Sequence, residues 1–324
     1  MIRKIVWKFG QLMLLLAAVT LIAFVLVDLS PIDPIVQYSM GRGLGLSEEQ
    51  KANLIQQWDL NKPLLTRYVA WVNNVLQGEF GYSHIYQRPV LKMIQEGMMS
   101  SLLLMALSWI TQGFFGFLLG LIAGMKEGRW LDRLIQSFAI ITSSTPTYWI
   151  AILLILCFSV YLHWFPLGFG SPIGVESSQI NWADRLYYAI LPAITLALTG
   201  VGPMILHTRE KVIDVLHQDY VLYQQSRGLQ SWNLLTRSAL RNVMLPAITL
   251  QFMNFSELFS GSILAEQAFN YQGLGKYSVD AGIQGDVPLL LGIVVFSTLF
   301  VFVGNQLADV CSQLIDYRTG RQSS

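Results

Sequence analysis

Apolar residues occur along this chain in runs of about 20, the length that a helix needs to cross the hydrocarbon core of a bilayer. The runs show neither the alternation of a half-buried strand nor the narrow stripe of an amphipathic helix. The pattern therefore predicts an all-α polytopic membrane protein with six transmembrane helices. These are expected at about 9–29, 101–124, 135–162, 189–207, 244–265 and 288–312.

The composition agrees with a membrane location. Of the 324 residues, 53% are hydrophobic and 13% are charged, whereas a soluble domain carries about 25% charged residues. The net charge of +1 gives no reason to expect a nucleic-acid partner, and membrane lipid is the expected surrounding. Cys157 and Cys311 both lie in apolar runs and are interpreted as small buried hydrophobic residues rather than disulfide partners or metal ligands.

The basic residues predict the orientation. The first apolar run follows three basic residues but is too long for a signal peptide, and it ends at 28–31 without a small-x-small cleavage pattern. It is therefore interpreted as a retained span. The short loop 125–133 carries three basic residues, which favours a cytoplasmic position. Both termini and segment 209–242 are then predicted to be cytoplasmic, and loop 30–100 to face outward.

The long outer loop is expected to be structured, because structureless loops of this length are uncommon. Residues 47–75 carry spaced apolar positions that predict amphipathic helices, and Ser47 is a suitable N-cap.

Three residues inside the predicted spans are candidates for a substrate path. Ser144 and Pro146 belong to a predicted kink in the third span, and Glu257 is the acidic residue well inside the fifth. A charged group at that depth is costly and is a functional candidate. The alternatives are a packing kink for the first two residues, and structural pairing at a helix or subunit interface for Glu257. Both alternatives remain open.

Catalytic and metal-binding motifs are not evident. Residues 273–277 resemble a phosphate-binding loop, but Tyr277 takes the place of the Ser or Thr, and the segment is predicted to be a turn. The four histidines are scattered and do not have metal-ligand spacing; two of them, His84 and His163, lie in outer loops where they could meet a passing metal chelate. The chain is therefore not expected to be an enzyme, and ATP hydrolysis would require a separate subunit.

Segment 219–246 is the longest polar interruption in the apolar second half of the chain. It is predicted to form two short helices broken at Gly228, where the absence of a Cβ permits a sharp turn. The second helix would present Trp232, Leu235 and Ala239 on one face, a shape suited to the groove of a cytoplasmic subunit. The alternative is an amphipathic helix that rests on the inner leaflet.

This segment resembles the signature loop of binding-protein-dependent ABC importer permeases of the peptide and nickel branch. The resemblance is carried by Asp219-Tyr220-Val221, Arg227-Gly228-Leu229 and Leu240-Arg241-Asn242-Val243-Met244-Leu245-Pro246. It departs from the family pattern at 222–225, where the family prefers small or acidic residues. Weaker matches in the expected order are at 30–34, 78–83, 88–90, 144–149, 163–166, 266–275, 305–309 and 316–318.

The resemblance implies a type I importer fold and an ATP-coupled role. The expected partners are a second homologous permease, one or two ABC ATPase subunits that hold ATP and Mg²⁺, and an extracytoplasmic solute-binding protein; no cofactor is expected on this chain. The implied location is the bacterial cytoplasmic (inner) membrane. Residues implied to couple to the ATPase are Asp219, Gly228, Leu229, Trp232, Leu235, Ala239, Arg241 and Pro246.

Domain boundaries and substrate follow from the same resemblance. The implied substrates are dipeptides, oligopeptides and nickel or nickel chelates, with 88–91 and 158–162 closest to the nickel type. The competing hypothesis is a stand-alone secondary transporter or channel. The expected division is a transmembrane helix at 1–30, an extracytoplasmic loop region at 31–96, a type-1 ABC transmembrane domain at 97–313 with the coupling loop at 209–242, and a cytoplasmic tail at 314–324.

Overall fold

A computed structural model describes residues 2–31, 35–36, 39, 45, 47–57, 59–170, 180–227 and 240–320. These residues are mostly helical, with one isolated bridge between Tyr82 and Pro89. The helices are α1 Ile2–Asp28, α2 Glu48–Gln57, α3 Leu64–Leu76, α4 Val90–Met125, α5 Trp130–Ser144, α6 Thr147–Leu154, α7 Trp182–Leu216, α8 Asp219–Ser226, α9 Leu240–Met253, α10 Phe255–Ala268, α11 Leu274–Gln284 and α12 Val287–Gly320.

The all-α membrane fold is confirmed, but the helices do not give six continuous spans. Within the described residues, four helices are long and apolar enough to cross a bilayer, or five if α5 and α6 count as one bent span. The helices of that pair meet at an angle of 106°. The predicted fifth span is divided at Asn254 into α9 and α10, which have 14 residues each. Neither half reaches the length of a span.

The bend between α5 and α6 has a local cause. Thr145 is extended (φ −90°, ψ 126°), the conformation that a following proline favours. Pro146 then precedes the first residue of α6, and its missing N–H cannot continue the hydrogen-bond ladder of α5. Beyond α6 the helix continues as a π-helix over Ile155–Tyr161.

The chain forms two compact units, the first comprising Met1–Ser101 with Gln272–Phe302, and the second Leu102–Tyr271 with Val303–Ser324. Helix α7 lies at the centre of the second unit, since 61% of its most apolar stretch is buried. A row of glycines on α4 allows α4 and α7 to approach closely, as small residues do in membrane helices. A Cβ added at each glycine would lie 2.7 Å from Met204 Cβ for Gly116, 2.5 Å from Thr208 Cβ for Gly120 and 2.6 Å from Val212 Cβ for Gly124.

In the first unit, α3 packs on the end of α1. The hydroxyls of Thr20 and Tyr68 are 2.9 Å apart, the ring of Phe24 contacts that of Tyr68 edge to face, and Arg67 pairs with Asp28. The predicted N-cap is confirmed. Gln50 N–H donates to Ser47 Oγ at 3.2 Å, and Ser47 N–H donates back to the Gln50 side chain at 3.0 Å, which is a capping box.

Residues 83–86 are fixed by Asp286, whose side chain is fully buried. Its carboxylate accepts hydrogen bonds from Ser83 Oγ at 2.5 Å and from the Ile85 N–H at 3.1 Å. The prediction of a turn at 273–277 was wrong. Helix α11 begins at Leu274, with Gly273 as its N-cap, and Tyr277 is buried in the core of this unit.

We expect Gly120→Ala to destabilise the protein by about 1–3 kcal/mol, the usual cost of overpacking. The added methyl would also meet the Ile205 carbonyl at 2.8 Å, so backbone has to move. Gly10→Ala is the matched control, because nothing lies within 4 Å of the added Cβ. Thermal unfolding of the purified transporter complex measures both variants, and equal melting temperatures would contradict the close packing of α4 and α7.

Candidate functional site

The two flanks of the predicted coupling loop are well defined. Helix α8 begins at Asp219, three residues after the end of α7, and α9 begins at Leu240. Five of the implied coupling residues lie outside the described residues, namely Gly228, Leu229, Trp232, Leu235 and Ala239. The described part of the site is therefore the base of the loop. Arg241 contributes its backbone to α9.

Both flanks enter one apolar cluster. Val221 of α8 and Val243 of α9 are completely buried. They pack with residues of α4 and α7, and the buried members of this anchor cluster are Leu121, Val212, Val215, Val221 and Val243. Because removing such residues from a tight core is costly, the two ends of the loop are held to the helices that carry the cluster.

A polar contact joins the flanks directly. The Asn242 side-chain amide donates to Tyr220 Oη at 3.2 Å, across a gap of 22 residues in sequence. Residues 220–221 and 242–243 therefore lie side by side, so the two ends of the segment that they enclose in sequence are adjacent. Pro246 does not end the second helix, because α9 continues through it to Met253.

A buried ion pair lies next to the anchor cluster and was not found from the sequence. Asp132, at the start of α5, has only 1% of its side chain exposed, and Arg209 of α7 donates to both of its oxygens at 2.6 and 2.8 Å. The same carboxylate accepts from the Gly128 N–H and from Gln136, each at 2.9 Å. All of these bonds together offset the cost of burying the charge.

This network fixes the turn between α4 and α5 against α7. Arg209 is less than one helical turn before Val212 of the anchor cluster, so the turn and the coupling-loop flanks are attached to the same stretch of α7. The signal in the sequence was an acidic residue in the first turn of an apolar helix, directly after a basic turn. Hydropathy alone does not show which arginine it meets.

The three candidates for the substrate path all lie at helix breaks. Ser144 and Pro146 lie at the bend between α5 and α6, and Glu257 is in the first turn of α10, after Asn254. All three side chains are exposed in the single chain. Next to Glu257, Ser256 Oγ donates to Asn305 of α12 at 2.5 Å. A further acidic residue, Glu266, is completely buried near the end of α10.

The described residues contain no group of three or more His, Cys, Asp and Glu side chains placed to hold a metal ion. His163 is exposed, and it occupies the left-handed region with φ 54°. Burial lowers the pKa of His84 below its usual value, although the nearby Asp286 carboxylate acts in the opposite direction. Neither imidazole is part of a ligand set in the described chain.

Comparison with known proteins identifies the family. Residues 116–321 match the family described as binding-protein-dependent transport system inner membrane component. The chain is 32% identical over 307 residues to the oligopeptide transport system permease protein AppB of Bacillus subtilis, covering 94% of this chain and 95% of that protein. It is 32% identical over 297 residues to the glutathione transport system permease protein GsiC of Escherichia coli K12, covering 90% of each. A putative peptide transport system permease of Brucella abortus is 29% identical over 311 residues and 96% of each chain.

The chain belongs to the family of binding-protein-dependent transport system inner membrane components. It is a permease subunit of an ABC importer and is not itself an enzyme. It is a multi-pass protein of the bacterial inner membrane, and it works with ATPase and substrate-binding partners. The matched range includes α7, both flanks of the coupling loop and the anchor cluster.

We expect Asp132→Ala to destabilise the protein by about 3–5 kcal/mol, because it leaves the Arg209 charge without its buried partner. Asp214→Ala is the control, since it removes the exposed pair with Lys211 and should cost about 0–1 kcal/mol. Thermal unfolding of the intact transporter compares the two variants. Equal melting temperatures would show that the Asp132–Arg209 pair does not hold the turn to α7.

Proposed function

We propose that this permease forms, with a second homologous permease, the path by which di- or oligopeptides enter the cell. The observation that carries the proposal is near-full-length similarity to permeases whose names specify oligopeptide, peptide or glutathione transport. Glutathione is a tripeptide, so the three names share one class of substrate: a short chain with amide groups and charged ends.

A nickel chelate is the alternative substrate. The resemblance to nickel permeases depends partly on residues 88–91. In the structure, two of these residues make contacts within the chain. Arg88 donates to both carboxylate oxygens of Glu96 at 2.7 and 2.8 Å, and Pro89 forms the isolated bridge with Tyr82. These contacts stabilise the loop whatever is transported. A chelate carried whole would need no ligand set of soft or imidazole groups in the spans.

The proposed orientation has both termini in the cytoplasm. The basic turn at 126–129 and the start of α8 are both connected to the same end of α7, the first through Asp132 and Arg209. Two segments that carry basic residues thus share one end of the helices, as expected for a cytoplasmic face. The solute-binding protein would then meet the outward-facing loop 30–100.

We infer that segment 219–246 couples this chain to one of one or two ATPase subunits, which would supply ATP and Mg²⁺. The base of the loop is supported as a unit by the anchor cluster and by the Tyr220–Asn242 contact. Movement imposed on residues between the flanks would reach α7 through Val221 and α4 through the same cluster. Rigid transmission of this kind suits a two-state rotation of the helices.

A transport assay tests the substrate and the energy source together. In cells that express the permeases, ATPases and binding protein, we expect uptake of a radiolabelled tripeptide, inhibition by unlabelled di- and tripeptides, and no inhibition by nickel chelates. Deleting the ATPase should abolish uptake. Uptake driven by an ion gradient without the ATPase would favour a secondary transporter, and uptake of the nickel chelate alone would reject the peptide assignment.

A further inference from the structure

The first unit contains two adjoining clefts on the side of the first span. The larger, of about 510 Å³, lies between the end of α1, Leu60 and the beginning of α12. The smaller, of about 430 Å³, is bordered by α3 and by residues 79–84. Both clefts are lined by Phe24, Leu60, Arg67 and Val287, so they form one continuous groove.

The larger cleft is mostly apolar, although Asp28, Ser30 and Arg67 also line it. Val287, Leu290 and Val294 line it from one face of α12, and Val27 lines it from α1. Both helices are membrane spans by length and hydropathy. Leu26 at the edge of this cleft is 63% exposed, as expected where a cleft opens toward lipid tails.

The smaller cleft carries the polar end of the groove. Arg67 and Trp71 of α3 line it, and two of their donors, Arg67 Nε and Trp71 Nε1, are buried without a hydrogen-bond partner in the described protein. Buried donors in native proteins nearly always have a partner. Two such donors in one cleft therefore point to an acceptor that the described residues do not provide.

The surroundings of Arg67 define the charge of that acceptor. Its guanidinium pairs with Asp28 and also lies over the ring of Phe24, 5.6 Å from the centroid. The Asp28 bond is made by an Nη atom, and Nε has no acceptor among the described residues. Trp71 stacks on Tyr68, and tryptophan and tyrosine are enriched at the headgroup level of membranes. Two further carboxylates besides Asp28 line this cleft, so the polar end of the groove suits a headgroup at the membrane surface that carries both a phosphate and an ammonium group.

We propose that the groove binds one phospholipid from the leaflet at this end of the helices, which is the outer leaflet under the orientation proposed above. One acyl chain lies between α1 and α12 along Val27, Leu290 and Val294. The phosphate and ester oxygens accept hydrogen bonds from Arg67 Nε and Trp71 Nε1. The lipid fastens α3 to both spans, and this role is independent of which substrate is transported.

Lipid tails are as apolar as the groove, so burial of the acyl chain gives little preference over bulk lipid. The two donors therefore supply the selectivity, and loss of one hydrogen bond to a charged acceptor should weaken retention about tenfold. Trp71→Phe removes one donor and keeps an aromatic ring to stack on Tyr68, so the local fold is preserved.

Native mass spectrometry of the purified transporter complex, with dioleoyl phosphatidylethanolamine added at increasing concentration, measures this retention. We expect one tightly held lipid per copy of this chain, about tenfold weaker retention in Trp71→Phe, and loss of the bound lipid in Val294→Trp, which fills the apolar cleft. Val303→Trp is the matched control, the same change at an exposed position of α12, and it should bind as the unchanged protein does.

Three results would overturn the proposal. The first is retention of the lipid by Val294→Trp, which would place it elsewhere. The second is an equal loss in Val303→Trp, which would identify only weakly held surrounding lipid. The third is unchanged retention in Trp71→Phe, which would remove the indole from the headgroup site.

Discussion

The close packing of α4 against α7 is the contact on which the described part of the coupling loop, the two flanks of segment 219–246, depends. Three glycines at four-residue spacing, Gly116, Gly120 and Gly124, let the α4 backbone lie against side chains of α7 with no room for a Cβ. The last of them faces Val212, which belongs to the anchor cluster. Helix contacts in membranes depend on such packing, because bilayer lipid gives no hydrophobic driving force between helices.

Two further contacts extend this framework to the end of α7. The Asp132–Arg209 network fixes the turn before α5, and the anchor cluster fixes both flanks of segment 219–246. A charge network that is fully satisfied has a narrow range of geometries, whereas apolar packing tolerates small shifts. The turn and the loop base would therefore move together with α7 rather than independently of it, which is what a subunit driven by a separate ATPase requires.

Much of the architecture could be predicted from the sequence, because long apolar runs and basic turns are strong one-dimensional signals. The Ser47 cap was also predictable from local chemistry. The 106° bend was not. Pro146 indicated a kink, but its angle depends on what packs around it, and Asn254 gave no sign of dividing the fifth span.

Contacts between residues that are far apart in the sequence could not be predicted from local sequence patterns. In the sequence, basic residues such as Arg209 indicate only orientation. The pairing of Arg209 with Asp132 across 77 residues depends on how α5 and α7 cross, which local patterns do not show. The four-residue glycine spacing on α4 is a sequence signal for close helix packing. The residues chosen for the tip of the coupling loop remain predictions, since 228–239 lie outside the described residues.

The most direct test of the central claim is site-specific photo-crosslinking within segment 219–246 in the assembled transporter. A photoreactive amino acid at Trp232 should crosslink to an ATPase subunit. The same amino acid in place of Trp7, which is exposed on α1, should not. Crosslinks from position 232 to phospholipid alone would contradict the account and would show that the segment rests on the inner leaflet.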